Sequence, residues 1–266
     1  MPRITVCIPT YNYGRFVGAA IASVLDQSLQ DFEILVSDNA STDETADVVA
    51  QWAGRDGRVR YRRNDHNLGM VANWNCCLAA AGGEYVKFLC ADDLLEPGAL
   101  ELLSGLLDRH PGVVLASGAR LLVTEDGGPG RVLAYSGREQ LLPGSRVIRR
   151  CIARGNRVGE PSAVIFRRVA LAGGFDERYP QVADFQMWLR LLECGDFAFT
   201  PQVVCRFRQH AEQETKKNLK ARQGFADELR LCRAYAGKVP ATALWEGLAR
   251  RYLALWLHLL RTGCKV

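Results

Sequence analysis

The chain has no run of apolar residues long enough to span a bilayer, which takes about 20 of them. No charged segment leads into an apolar one at its start, so no secretory leader is read there. None of the nine cysteines forms a C-x-x-C pair. The odd count, with Cys76 and Cys77 adjacent, does not make a secreted disulfide framework. A reducing, cytoplasmic setting is therefore expected. No G-x-G-x-x-G follows a strand signal, which excludes a dinucleotide-binding dehydrogenase fingerprint. The first strand lacks the glycine-rich basic loop that a sugar nucleotidyltransferase needs to cradle a triphosphate; Pro9-Thr10-Tyr11-Asn12-Tyr13-Gly14 stands there instead. Charge is not extreme either. A net +5 suits a nucleotide diphosphate or an acidic membrane surface and does not demand nucleic acid. No internal repeat or low-complexity segment interrupts the chain.

What is there is a globular composition, with 48% hydrophobic and 24% charged residues. The 266 residues suffice for one large α/β domain or two fused halves. Short β-rich runs lie at Ile4–Ile8, Glu33–Ser37, Val59–Arg62 and Tyr85–Leu89. Between the first two, Phe16, Ala20, Ile21 and Val24 recur at helical spacing. The capping box Ser41-Thr42-Asp43-Glu44 predicts a helix reaching Ala53, and Met70–Ala80 predicts another. Pro97 marks the start of a helix to Asp108, and Val113–Ala116 follows as a strand. Strands separated by single helices imply right-handed crossovers and a mostly parallel sheet flanked by helices. Ligands of such sheets bind beyond the carboxyl ends of the strands.

Polar clusters occupy those ends. Pro9-Thr10-Tyr11-Asn12 offers an aromatic to stack on a base and an amide to bond its edge. Asp38-Asn39-Ala40-Ser41-Thr42-Asp43 puts a carboxylate just past a strand, where it can accept an imide N–H or a ribose hydroxyl. His66-Asn67-Leu68-Gly69, with Asn73 a turn later, and Cys90-Ala91-Asp92-Asp93 complete the set. Singly each is only a polar loop. At successive strand ends of one sheet they surround one crevice.

The order and spacing of these pieces resemble the family 2 glycosyltransferases of the GT-A fold, over about residues 3–210. The matching segments are IPTYN at 8–12, SDNASTDET at 37–45, NLGMVANWN at 67–75, GGEYVKFLCADDLLEPGAL at 82–100, EPSAVIFRR at 160–168, GGFDE at 173–177, DFQMWLRLL at 184–192 and RFRQH at 206–210. The resemblance implies a GT-A domain over 1–210. Its halves are a Rossmann-like nucleotide-sugar half at 1–100 and an acceptor half at 101–210, with a helical extension over 211–266. It implies an inverting transfer of sugar from a nucleotide-diphosphate donor to an acceptor hydroxyl, in cell-surface polysaccharide or glycolipid assembly. An inactive nucleotide-sugar binding module is the alternative, and the presence of Asp92, Asp184 and His210 argues against it. By the resemblance, Pro9, Thr10, Tyr11, Asn12 and Asp38 hold base and ribose, while Asn67, Gly69, Asn73 and Ala91 line the nucleotide pocket. Tyr11 and Asp38 favour a pyrimidine, hence UDP or dTDP ahead of GDP. Asp92 is the metal carboxylate of the D-x-D element, with Mn²⁺ or Mg²⁺ as the cofactor, and His210 is a further metal or diphosphate contact. Cys90 stands where the first carboxylate of that element usually is, and a thiol is a poor hydrogen-bond partner for a ribose. Asp184 is the base. By itself it also reads as the N-cap of the helix Phe185–Leu192, and the two roles are compatible.

The pattern loosens after residue 120. Asp126–Gly130 reads as a hairpin tip, Ala163–Arg167 and Val203–Phe207 as strands. Residues 138–168 carry eight arginines against two glutamates, which makes them either a solvated face or a contact for an acidic substrate. Trp74 and Trp188 are expected in the core, and Cys76, Cys77, Cys194 and Cys205 are read as small buried hydrophobes. Over 240–262, Leu244, Leu248, Tyr252, Leu255, Trp256 and Leu259 share one side of a helix that also carries Arg250, Arg251 and Arg261. That helix is expected to pack on the domain, with a homodimer or peripheral contact on the inner membrane face as the other options.

Overall fold

A computed structural model of the chain describes residues 1–171, 173–211, 213 and 223–261. The N-terminal part runs β1 (Ile4–Thr10), α1 (Gly14–Leu25), β2 (Phe32–Asp38), α2 (Thr45–Arg55), β3 (Val59–Arg63), α3 (Met70–Ala80) and β4 (Tyr85–Phe88). It continues through β5 (Leu94–Leu95), α4 (Ala99–Arg109), the hairpin β6 (Val113–Thr124) and β7 (Pro129–Leu133), β8 (Gln140–Leu142) and α5 (Gly144–Arg154). The rest is β9 (Val164–Arg167), α6 (Ala183–Leu192), β10 (Asp196–Gln209), α7 (Gln223–Ala234) and α8 (Ala241–Arg261). Among these helices none is long and apolar enough to cross a membrane.

One 10-stranded sheet runs through the molecule in the order β3-β2-β1-β4-β9-β6-β10-β5, with β7 on β6 and β8 on β10. The strands β3, β2, β1 and β4 are mutually parallel, as the alternating pattern predicts. Beyond them β9 enters antiparallel to both β4 and β6, while β6 and β10 are again parallel. The short periodic runs at 113–116 and 203–207 extend into the two longest strands, because each pairs along its whole length with the other.

Burial on both faces explains the apolar runs of the central strands. On β1, Ile4, Val6 and Ile8 face α1, α2 and α4, and Cys7 faces the opposite side. That second core gathers Trp74, Phe88, Phe166, Phe175 and Trp188, whose rings meet edge-on, tilted or, for Phe88 and Phe166, stacked, at 5.0 to 6.5 Å. Trp74 and Trp188 are in the core as expected, and Cys77 and Cys205 are buried. Cys76 is only half-buried and Cys194 is exposed, since each sits on the outer side of its helix or turn. All eight cysteines among the described residues are free.

The capping box does not form. Helix α2 starts at Thr45, and Asp43 rather than Ser41 receives the Thr45 N–H, at 3.1 Å. Ser41 is drawn instead toward the end of β1, where its Oγ accepts the Asn12 N–H at 2.9 Å. Likewise α4 begins at Ala99, two positions after Pro97, because Gly98 takes a left-handed turn with φ 74°.

Gly83 leads into β4 so closely beside β1 that a Cβ there would lie 2.5 Å from Thr5 N and 2.9 Å from the Ile4 carbonyl carbon. Both are backbone atoms of the central strand and cannot swing aside. Gly83→Ala is therefore expected to lower the unfolding free energy by roughly 1–3 kcal/mol, the usual cost of overpacking. Urea denaturation checks it, and a midpoint equal to that of the parent chain would disprove the close approach.

Candidate active site

The first two strand ends are neighbours in register, Thr10 beside Asp38. Their loops are stitched together by side chains. Asn12 Oδ1 accepts the Thr42 N–H at 2.7 Å, and Gly14 N–H donates to Asp43 at 2.9 Å. Asn12 (φ 55°) and Ala40 (φ 64°) both hold left-handed backbone. For alanine that conformation is costly and persists only where surroundings impose it. Tyr11 stands out of this rim with 42% of its surface exposed, and Thr10 Oγ1 is buried without a hydrogen-bond partner among the described residues. Pro9, just before them, is half-buried.

Asp38 is fully buried and its oxygens are engaged: Tyr61 Oη donates at 2.6 Å, Arg63 at 3.0 Å and the Ser41 N–H at 2.8 Å. Burial and the bond to this carboxylate push Tyr61 up to about 12, so it remains a neutral donor. Asp38 thus shapes the rim from beneath. Asn73 does similar work: its amide is used by Ser37 and by Asn64, at 2.8 to 3.0 Å. Asn64 also reaches Asn39, which donates to Asn67, and Asn67 Oδ1 accepts the Gly69 N–H at 2.8 Å. Gly69, at φ 86°, starts α3. The exposed members of this asparagine network are Asn67 and Gly69; Asn39, Asn64 and Asn73 are buried behind them.

The next strand end carries Cys90, Ala91, Asp92 and Asp93. The ligand atoms of Cys90, Asp92 and Asp93 lie within 4.8 Å of one another. His210, from beyond β10, brings Nε2 to 2.9 Å from Asp92 Oδ2, while its Nδ1 is buried without a partner among the described residues. Phe16 and Tyr13 hold the imidazole, at centroid distances of 5.1 and 5.6 Å. The two acids differ. Asp93 accepts Ser162 Oγ at 2.5 Å and the Arg208 N–H at 2.9 Å, so it is used structurally, and burial followed by the Asp92 charge pushes its pKa well up. Burial and the same two acids also push up the Cys90 thiol, which stays neutral. Donors of this kind fit a hard divalent cation at Asp92, with His210 beside it. Ala91 is buried under them.

Asp184 lies in the first turn of α6, not at its cap; Val182 occupies that position. It is half-buried, and Asn156 Nδ2 donates to it at 3.4 Å. Burial pushes its pKa up to about 7, helped by the negative Glu160 and opposed by the Phe185 N–H. Asn156 also grips Gly159, whose carbonyl accepts the Trp188 indole N–H at 3.0 Å. Glu160 pairs with Arg120. Ser162 then meets Asp93 and the Cys90 N–H. One loop, 156–162, therefore ties the neighbourhood of Asp184 to that of Asp92.

The family model described as Glycosyl transferase family 2 matches residues 5–174. The chain belongs to that family. An uncharacterised protein of Mycobacterium tuberculosis is 35% identical over 86% of this family 2 chain and 74% of its own length. A chondroitin synthase of Pasteurella multocida is 27% identical over 82% of the chain, which spans only 22% of that synthase. Among solved structures, S. aureus TarS 1-349 in complex with UDP-GlcNAc aligns with a TM-score of 0.70 at 18% identity, over 86% of this chain and 65% of that one. The mannosyltransferase PcManGT from Pyrobaculum calidifontis, in complex with GDP-Man and Mn²⁺, aligns at 0.64 and 19% identity, over 96% and 81%. These likenesses establish the GT-A fold expected from the motifs.

Several residues of this family 2 site escaped the sequence reading. Tyr61, Arg63 and Asn64 close β3 and its following turn, where the strand-end rule pointed without selecting them. Lys87 did leave a signal, a lysine inside the apolar strand Tyr85–Phe88. Glu160 and Ser162 lie in the matching segment EPSAVIFRR without being singled out by it, and Asn156 left no signal, since their partners are remote in sequence.

The two adjacent acids are expected to fail differently. Asp93→Asn keeps one oxygen for the Arg208 N–H but turns an NH2 toward the Ser162 hydroxyl, which loses its acceptor, and should lower stability by roughly 1–3 kcal/mol. Asp92→Asn should leave the melting temperature near that of the parent and remove the metal-dependent part of nucleotide binding. Calorimetric titration with UDP, with and without Mn²⁺, and a thermal melt of each variant check the pair. The opposite pattern would exchange their roles.

Proposed function

We propose that the chain is an inverting glycosyltransferase that moves a sugar from UDP or dTDP to an acceptor hydroxyl in polysaccharide or glycolipid assembly. The observation that carries this reading is the meeting of Asp92 with His210 beside Cys90 and Asp93. It is supported by two relatives, named as a chondroitin synthase and as a β-1,3-glucosyltransferase acting on an undecaprenol-linked glycan of Campylobacter jejuni. Tyr11 is the exposed ring on which a base stacks, and Asn12 and Thr10 supply polar atoms around it. Asp38, Asn73 and their partners keep that rim in place. Asp92 and His210 would hold Mn²⁺ or Mg²⁺, whose charge stabilises the leaving diphosphate.

Asp184 is the general base in this proposal. The acceptor oxygen bonds to the anomeric carbon from the face opposite the diphosphate, the bond from that carbon to the diphosphate oxygen breaks, and the hydroxyl proton passes to Asp184. Direct attack inverts the centre and needs no second carboxylate. A base titrating at about 7 is largely protonated in acid and free above neutrality. Transfer should therefore rise with pH through about 7 and then level off. The sign for stability is the reverse. The folded value lies above that of the unfolded chain, so stability falls as pH climbs from the ordinary carboxylate range to about 7.

Asp184→Asn should reduce transfer by on the order of 10²- to 10⁴-fold, the usual worth of general base catalysis. It should also erase the limb near 7 while leaving nucleotide affinity unchanged. Initial rates across pH with a radiolabelled donor check this; a variant with near-parent turnover would remove Asp184 from the role. For the donor site, saturation at about a hundred times Kd should stabilise the fold by about 2.7 kcal/mol. Melts with UDP, dTDP and GDP, each with and without Mn²⁺, test it, and no shift with any of them would sink the proposal.

A further inference from the structure

The last helix does not present the stripe its sequence suggests. Leu244 and Leu248 pack on the core, but Tyr252 and Trp256 of the same stripe are 47% and 53% exposed. Arg251, expected to supply surface charge, is buried: it donates to the Ile152 carbonyl at 2.7 Å and lies 3.0 Å from Glu228. The side chains of Leu259 and Arg261, and the end of that predicted helix at 262, fall outside what the structure describes. A different face of α8 is left open. Helical spacing aligns Trp245, Leu253, Trp256 and Leu257 with Thr242 and Glu246. The four apolar side chains are 69%, 55%, 53% and 40% exposed.

Thr242 and Glu246 line a cavity of about 430 Å³ whose other wall is α5. That wall presents Arg146, Arg149, Arg150 and Arg154, successive turns of one helix face. Arg154 lies 3.3 Å from Glu246, and Arg150 lies 4.3 Å over the Tyr135 ring. Among the described residues the side chains of Arg146 and Arg149 meet no acid. Like charges at this spacing repel, and a single glutamate among four arginines leaves this wall with net positive charge.

We propose that this surface docks on an anionic phospholipid bilayer. The arginine cavity receives a headgroup phosphate, and Trp245, Leu253, Trp256 and Leu257 seat in the interfacial layer beside it. Basic residues flanking exposed tryptophan and leucine on a helix are the chemistry of an interfacial anchor. Charge complementarity selects this occupant. A second copy of the chain, docked through the same patch, would bring four more arginines and only one more glutamate to it. A free phosphate would fill the cavity and leave the apolar stripe in water. No residue of the donor rim, the Asp92 cluster or Asp184 belongs to the surface, so docking is independent of turnover.

The test is flotation of the full chain with vesicles of phosphatidylcholine or of phosphatidylglycerol. Binding is expected to the anionic vesicles alone, with a blue shift of tryptophan emission. The exposed double variants Arg146→Gln/Arg149→Gln and Trp245→Ser/Trp256→Ser should each weaken it by about tenfold or more while keeping the parent melting temperature. Equal binding to neutral vesicles, or none to either, overturns the proposal. So does a melt raised by inorganic phosphate without vesicle binding, which would make the cavity a soluble-anion site. A dimer seen by light scattering, dissolved by the tryptophan variant and blind to vesicles, overturns it in favour of a second copy.

Discussion

The ammonium of Lys87 sits at the centre of the sheet with no exposed surface, and it donates to the carbonyls of Phe88, Pro161 and Ser162 at 2.8, 3.3 and 2.5 Å. A buried charge is tolerated only when its donors are filled, and these are. Burial pulls the lysine down to about 8, which leaves it largely charged at neutral pH. The consequence is structural. The last residue of β4 and the loop before β9 are held to one point, although 74 residues separate Lys87 from Pro161. Cys90, Asp92 and Asp93 leave the sheet from one side of that point, and Glu160 and Ser162 from the other. Exchanging the lysine for an apolar residue would strand buried carbonyls on both sides at once.

From this anchor the acidic groups acquire distinct jobs. Asp93 and Asp92 are consecutive, yet Asp93 spends both oxygens on Ser162 and the Arg208 N–H, whereas Asp92 meets His210. Arg208 in turn donates to the Asp92 carbonyl and lies 5.2 Å over Phe16, the ring that holds His210. The segment carrying His210 is thus tied to the segment carrying Asp92 through backbone, cation–π and ring contacts together. Glu160 is held by Arg120, which tempers the charge it presents to Asp93 and Asp184.

Much of this was legible in the chain. The four parallel strands and their helices follow from periodicity, since each strand is a short apolar run and each helix an amphipathic one. Met70–Ala80 is delimited by sequence because Gly69 stops the chain before it and the apolar spacing ends with it. The second half was less readable for a physical reason. Antiparallel β9, inserted between β4 and β6, has no local signature, and the lengths of β6 and β10 are set by each other. The same holds for side chains. Asp92, Asp184 and His210 sit in recognisable motifs, whereas the capping box failed because Ser41 had a better partner in Asn12, a residue 29 positions away. Local rules rank local partners and cannot see that competition.

The arrangement of strain and rigidity follows one logic. The left-handed Asn12 and Ala40 belong to the rim that sits on Asp38 and the asparagine network, and not to the distant loops. Such backbone is unfavourable by itself, so each surrounding hydrogen bond serves to hold open a shape that the free loops would abandon. Positioning matters because a displacement of about 1 Å at a reacting group can cost on the order of a hundredfold in rate. In the proposed transfer that tolerance applies between the Asp184 and Asp92 regions. A direct route exists through Asn156, Gly159, Ser162 and Asp93, with Lys87 as its foot. The loop 156–162 thereby holds the Asp184 region to the Asp92 region through hydrogen bonds as well as through the sheet.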